Sequence, residues 1–450
     1  MRDQFYRHPL AALRAQFGLS ATEYLQKLDT RHRDLGYGSM ATRREKAARW
    51  EAGTCVPEVT AQLAMADLHG VPREAVQELK WPHWLLLAFP DDHAVLYSPW
   101  TSAGTVASMA ASQGCSMDRR GFLIATGATL TAVAANWAGA LQDVPAASAS
   151  GRRQLTTAMV TRLEQRLSDL RHLDDVLGGG ELRPLAVAEF NLMNKLAADG
   201  VYDDRAGRRL FSALAEASRI CGWIHFDAGR HAGAQSFYVL ALRASASAAD
   251  PAVGANVLAF MAIQTYSTGN PQDAVNLVRT AQDQASKCST ARVRSMLHAR
   301  AARALSKTGD LKACAHELDA ARDAYVDGPH DDDPPWAYWL TAGEIEMLAG
   351  SSALDLGHPR RALEHFAAAR HSAYAGEGYV RDNALYLTRA AEAHLALGEL
   401  DVACATASQA LAQSSGVDSA RPSGALVDFR KRVSAHSGTA AVRDFLERTA

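Results

Sequence analysis

The chain has 450 residues, 48% hydrophobic and 21% charged, with a formal net charge of −2 at pH 7. That composition excludes a disordered tail or a coiled-coil rod as the main body, and the near-zero balance excludes a whole-chain field of the histone or ribosomal kind. At roughly 100–200 residues per domain, the length allows two to four folded units.

The charge is unevenly spread. Residues 1–50 carry a net +5, which leaves −7 for everything after them. Such asymmetry is the footprint of a nucleic-acid-contacting head on a regulatory body. The six cysteines, at 55, 115, 221, 288, 314 and 404, form none of the close pairs of a zinc knuckle or redox motif. Few, scattered thiols read as a reduced, cytoplasmic chain.

Pro9–Phe17 has the pattern of a short amphipathic helix closed by Gly18. Ser20-Ala-Thr-Glu23 is a capping box: the serine hydroxyl takes an orphan amide and the glutamate reaches back. It opens a helix with Tyr24, Leu25 and Leu28 on one face, followed by a turn at Gly36-Tyr37-Gly38. Thr42-Arg-Arg-Glu45 reads as a second capping box, opening a helix with Ala47, Ala48 and Trp50 that Gly53 ends. Pro57–His69 is one more helix, stopped by Gly70-Val71-Pro72.

The runs GLSATEYL (18–25) and KAARWEAGTCVPEVTAQLAMADLHGVPREAV (46–76) resemble the lambda-repressor-like (XRE) helix-turn-helix family over about residues 8–80. The stretch 31–40 is an insertion relative to that pattern. The resemblance implies a DNA-reading domain in which Thr42, Arg43, Arg44 and Lys46 occupy the first turns of the recognition helix. Those turns meet base edges in such domains, and an arginine there can take guanine bidentately. Arg31, Arg33 and Arg49 are placed as phosphate contacts, while Trp50 is expected in the small core.

Residues 81–100 are rich in aromatics and proline and read as a short irregular or hairpin segment. Ser98 to Ser116 and residues 145–151 read as linkers. Between them Asp118-Arg-Arg-Gly-Phe-Leu123 opens a 22-residue uncharged run, Gly121 to Gln142, that would pass as a twin-arginine export signal from an internal start at Met117. Its internal place after a DNA-reading head, with three threonines and an asparagine, favours a helix buried between head and body over a membrane span.

From about residue 152 the chain is alanine-rich and helical. Five segments share a turn glycine, a small residue five positions later and an alanine twelve positions later, starting at Gly229, Gly269, Gly309, Gly357 and Gly398. Seven residues before each glycine stands another small residue: Gly222, Ala262, Ala302, Gly350 and Ala391. Small residues there let two antiparallel helices approach closely, with Tyr238, Val278, Leu318 and Phe366 filling the seam. The pattern resembles the tetratricopeptide repeat, its period stretched to about 40. The flanking helical stretches, 152–200 and Ala425–Thr449, read as caps. The resemblance implies a concave groove lined by the first helix of each pair, placing Arg219, Trp223, Phe226, Asn256, Tyr266, Arg303 and Glu344 there.

Other chemistry is weak. His330-Asp-Asp-Asp333 reads as a solvated turn, and Gly178-Gly-Gly180 lacks the strand and lysine of a phosphate loop. No nucleophile elbow, paired carboxylate motif or metal-ligand spacing supports an enzyme, and no cofactor is expected. The expectation is an all-α protein in three parts: a helix-turn-helix domain (1–80), a connecting segment (81–151) and a tetratricopeptide-like solenoid (152–450). The layout is similar to peptide-responsive regulators of Gram-positive bacteria and to actinobacterial regulators of the NsdA type. It implies a cytoplasmic homodimeric regulator that binds a double-stranded DNA operator and answers to a peptide, small molecule or protein. The alternatives are a repeat scaffold that does not read DNA and an exported repeat protein begun at Met117.

Overall fold

The computed structural model describes residues 8–114, 127–141, 153–286, 289–326, 328–371, 380–414 and 419–449. The protein is all-α: among these residues the one sheet is a two-residue parallel ladder, Arg153–Gln154 (β1) against Gly200–Val201 (β2).

The N-terminal part contains α1 (Pro9–Gln16), α2 (Ala21–Asp34), α3 (Arg44–Glu51), α4 (Val59–Leu68) and α5 (Arg73–Glu78). The Ser20–Glu23 capping box forms: the Glu23 amide donates to Ser20 Oγ (3.3 Å) and the Ser20 amide donates to Glu23 Oε2 (2.7 Å). The second expected box does not. Arg43 is the N-cap of α3, with no side-chain cap bond, because the helix starts one residue late and the Glu45 carboxylate turns to Arg44 (3.3 Å). Helix α2 continues into the 31–40 insertion as far as Asp34, and a non-helical strap over residues 35–43 then leads to α3. The strap is tied down by Asp29, which accepts from the Met40 amide (2.7 Å), and by contact of His32 Nδ1 with the Gly38 carbonyl (2.7 Å).

Leu10, Leu13, Tyr24, Leu25, Leu28, Ala47, Trp50 and Met65 form the buried core of this part. It extends past the expected boundary at residue 80, since Trp84, Leu85, Leu86 and Phe89, on and just after a 3-10 turn over His83–Ala88, join the same core. The Trp84 indole donates to Gln62 Oε1 (3.0 Å).

The connecting segment is not the linker that composition suggested. It folds as α6 (Pro90–Tyr97), α7 (Ser102–Gly114) and α8 (Ala128–Ala140), all packed on the body. Small, apolar and hydroxyl side chains read as linker in isolation, but here they suit close packing: Thr105 and Ser108 are fully buried, and Thr105 Oγ1 bonds Ser247 Oγ (2.9 Å). The twin-arginine-like residues 118–123 and the second expected linker lie outside the described residues. Helix α8, from the apolar run behind them, buries Leu130, Val133, Ala134 and Trp137 against the body.

The body begins with α9 (Thr157–Leu177) and α10 (Gly179–Asp199). Five helix pairs follow: α11 (Asp204–Asp227) with α12 (His231–Ala248), α13 (Pro251–Thr268) with α14 (Pro271–Ala285), α15 (Ala291–Thr308) with α16 (Leu311–Ala324), α17 (Ala342–Asp355) with α18 (Pro359–His371), and α19 (Val380–Ala396) with α20 (Leu400–Ser414). The chain ends in α21 (Ala420–Val433) and α22 (Ala440–Arg448). The five turn glycines of the sequence pattern fall between the two helices of each pair. Four adopt positive φ, 74° to 82°, the left-handed region where a β-carbon is penalised. The small residues on the facing helices are buried: Ala234, Ala274, Ala362 and Ala403 are fully covered and Cys314 nearly so.

Candidate effector cavity

One cavity of about 600 Å³ opens in the body, and it is walled chiefly by the first helix of all five pairs. Arg219, Trp223 and Phe226 reach it from α11, spaced four and three residues apart so that they share one face. Tyr266 comes from α13, Arg300, Arg303 and Lys307 from α15, Glu344 from α17, and Arg381, Tyr386 and Arg389 from α19. Thus six of the seven residues that the repeat register places in a groove line one cavity. Helix α13 is buried at every position from Val253 to Thr265; Phe260 and Ile263 of that stretch reach the cavity, and Asn256 does not.

Two ends of the chamber differ in charge. At one end Arg303 (2.7 Å), Lys307 (3.0 Å) and Arg389 (2.5 Å) converge on Asp355, whose carboxyl they hold well below its usual range against the opposing effect of burial. Arg389 also pairs with Glu392 (2.8 Å), which Arg432 pairs with from outside. At the other end Asp174 on α9 accepts from Arg381 Nη1 and from Trp223 Nε1, both at 2.9 Å. Arg421 on α21 lies 4.7 Å over the Trp223 ring, and Ser419 donates to Asp227 Oδ1 (2.8 Å). These contacts tie α19 and α21 to α9 and α11, across about 200 residues of chain.

Trp336, Tyr338 and Trp339 enter from the segment between α16 and α17. The sequence signal for them is the longer glycine spacing at that point, 48 residues where the preceding ones are 40, which inserts an aromatic segment. Asp333, read from sequence as part of a solvated turn, accepts from the His330 amide (2.9 Å) and faces Arg292 (3.8 Å), while Asp331 and Asp332 are exposed. Arg300 was also unmarked by the repeat register, although it stands three residues before Arg303 and seven before Lys307 on one helix face.

The buried acids are acceptors. Asp174, Asp355 and Glu392 are held by arginine, Glu344 accepts from the Tyr386 hydroxyl (2.7 Å) and Asp175 from the Tyr338 hydroxyl. Burial pushes Asp175 up to about 6. Arginine, aromatic faces and committed carboxylates suit binding better than proton transfer.

In the N-terminal part, Arg43, Arg44 and Arg49 are exposed on and before α3, and Thr42 is half-buried. Lys46 lies 5.2 Å over the ring of Trp50, which is buried as expected. Arg31 is bound to Asp67 on α4 and Arg33 to Asp29 one turn back, so both expected phosphate contacts already have carboxylate partners. Compared with family models, with curated proteins and with solved structures, the chain matches none.

Proposed function

We propose that this chain is a DNA-binding transcriptional regulator, with a helix-turn-helix head over residues 8–89 and a tetratricopeptide-like solenoid body whose cavity receives an effector. The observation that carries the reading is α3: its buried Ala47 and Trp50 anchor it on α2, its start presents Arg43 and Arg44 to solvent, and its last turn presents Arg49. A helix held that way offers cations to base edges and phosphates. The arginine- and aromatic-lined cavity supports the sensing half. Burial of Trp137 against α12, with its indole donating to Ser245 (2.9 Å), favours a structural role for the apolar run over export from Met117.

Two heads must address two half-sites about one helical turn of DNA apart, so the working form is a cytoplasmic homodimer whose head spacing the effector adjusts. Fluorescence anisotropy against genomic fragments tests the reading. Tight binding to a subset, lost on Arg43→Ala with Arg44→Ala, is expected. Equally weak binding to every fragment, or binding untouched by the double substitution, would sink it in favour of a protein-binding scaffold.

A further inference from the structure

We infer that the cavity takes a small molecule bearing one oxyanion, a carboxylate or a phosphate, on a flat apolar body, and that Arg300 receives the oxyanion. The inference rests on the sensing half of the proposed function and not on DNA binding.

Arg300 is 8% exposed and stands on the cavity wall. Among the described residues it has neither a hydrogen-bond acceptor nor an ion-pair partner, and its buried Nε is unsatisfied. The Trp339 ring lies 4.9 Å from the guanidinium. A buried guanidinium without a counter-charge is costly, and the planar fork is built for bidentate capture of a carboxylate or phosphate. Every other arginine lining the cavity has a carboxylate within 4 Å.

The surroundings limit the ligand. Arg303, Lys307 and Arg389 share Asp355, so this end keeps a cationic excess that would attract an anion. At the opposite end Asp174, Asp175 and Asp382 are matched with Arg381 and Arg421, which leaves no unmatched cation there for a second anionic group. Phe260, Tyr266 and Trp339 add aromatic wall to the cavity, each with an arginine over one ring face. The volume, about 600 Å³, falls in the range of small-molecule sites.

The test is calorimetric titration of the full chain with naphthoate and with adenosine monophosphate, each beside its neutral counterpart, naphthamide or adenosine. At least one anionic probe should bind saturably with one site per chain, and its neutral counterpart at least about tenfold more weakly. Which anion binds separates the carboxylate source from the phosphate source. Arg300→Gln should weaken the bound probe at least about tenfold without lowering the thermal midpoint, because the removed charge has no carboxylate partner among the described residues of the free protein. Arg303→Gln, which breaks a buried ion pair, should lower the midpoint. No saturable binding by either anion, equal binding of anion and neutral form, or an Arg300→Gln variant that binds as wild type would each overturn the inference. Loss of DNA binding in the same protein would leave it intact.

Discussion

A β-carbon built on Gly222 would stand 2.5 Å from Cδ1 of Tyr238, sixteen residues later on the partner helix. The same offset joins Gly350 to Phe366, where the clash would be 2.6 Å, and it joins Ala262 to Val278 and Ala302 to Leu318. Glycine faces an aromatic ring and alanine faces an aliphatic side chain. The summed volume at the seam is shared out differently in each pair.

Gly222→Ala should therefore destabilise the protein by about 1–3 kcal/mol through overpacking. The Tyr238 hydroxyl has no hydrogen-bond partner among the described residues, so Tyr238→Val removes no polar contact there. The double variant recreates the alanine–valine seam of the second pair, and its cost should fall below the sum of the two singles by about 1 kcal/mol or more. Urea unfolding of the four proteins measures this. Strict additivity would contradict the seam.

Arg243 on α12 should hold α6, which follows the N-terminal part, to the body. Its guanidinium is fully buried and donates to the carbonyls of Val95 (2.7 Å), Leu96 (2.9 Å), Ser98 (2.8 Å) and Pro99 (3.3 Å), with Trp100 against its face at 4.5 Å. Burial pushes its pKa down to about 10, so it stays charged at the C-terminal end of α6, where carbonyl dipoles favour a cation. Arg243→Met leaves those carbonyls unsatisfied, at about 2–4 kcal/mol. Limited proteolysis should then cut between residues 97 and 130 while the body persists. Resistance equal to wild type would refute this joint.

DNA affinity should separate exposed from engaged cations. Arg49→Ala is expected to lower the salt slope of binding by about one, as loss of a phosphate contact does. Arg31→Ala should leave the slope unchanged, because its guanidinium already serves Asp67, and should cost little stability because the pair is solvent-screened. Anisotropy titrations over a range of salt concentrations distinguish the two.

The N-terminal part should weaken in mild acid. Burial pushes His8 and His69 down to about 4, and His69 Nε2 bonds the buried Tyr24 hydroxyl (2.9 Å). Below pH 6.5 the unfolded chain protonates both rings while the folded one does not. Their contribution is thus complete above pH 6.5 and is lost as pH falls toward 4, by at most about 3 kcal/mol for each. His69→Gln should reduce the difference between thermal midpoints at pH 7 and pH 5. An unchanged difference would show that His69 does not titrate on unfolding.

Sequence alone determined the helical class, the Ser20 cap, the burial of Trp50 and the five helix pairs. Each depends on local spacing: a small residue at a fixed offset from a turn glycine packs two helices whatever surrounds them. It also placed six of the seven groove residues on faces that meet, because register along a helix fixes direction. Only the tertiary structure decided which charges are already matched. Asp174 meets Arg381 across 207 positions, Arg243 meets carbonyls nearly 150 positions earlier, and Arg31 turns to Asp67, while Arg300 meets no acceptor among the described residues. An ion pair depends on separation in space and on burial, and neither can be read from position along the chain. For the same reason, the serine- and alanine-rich stretch after residue 98 reads as linker until α12 is beside it.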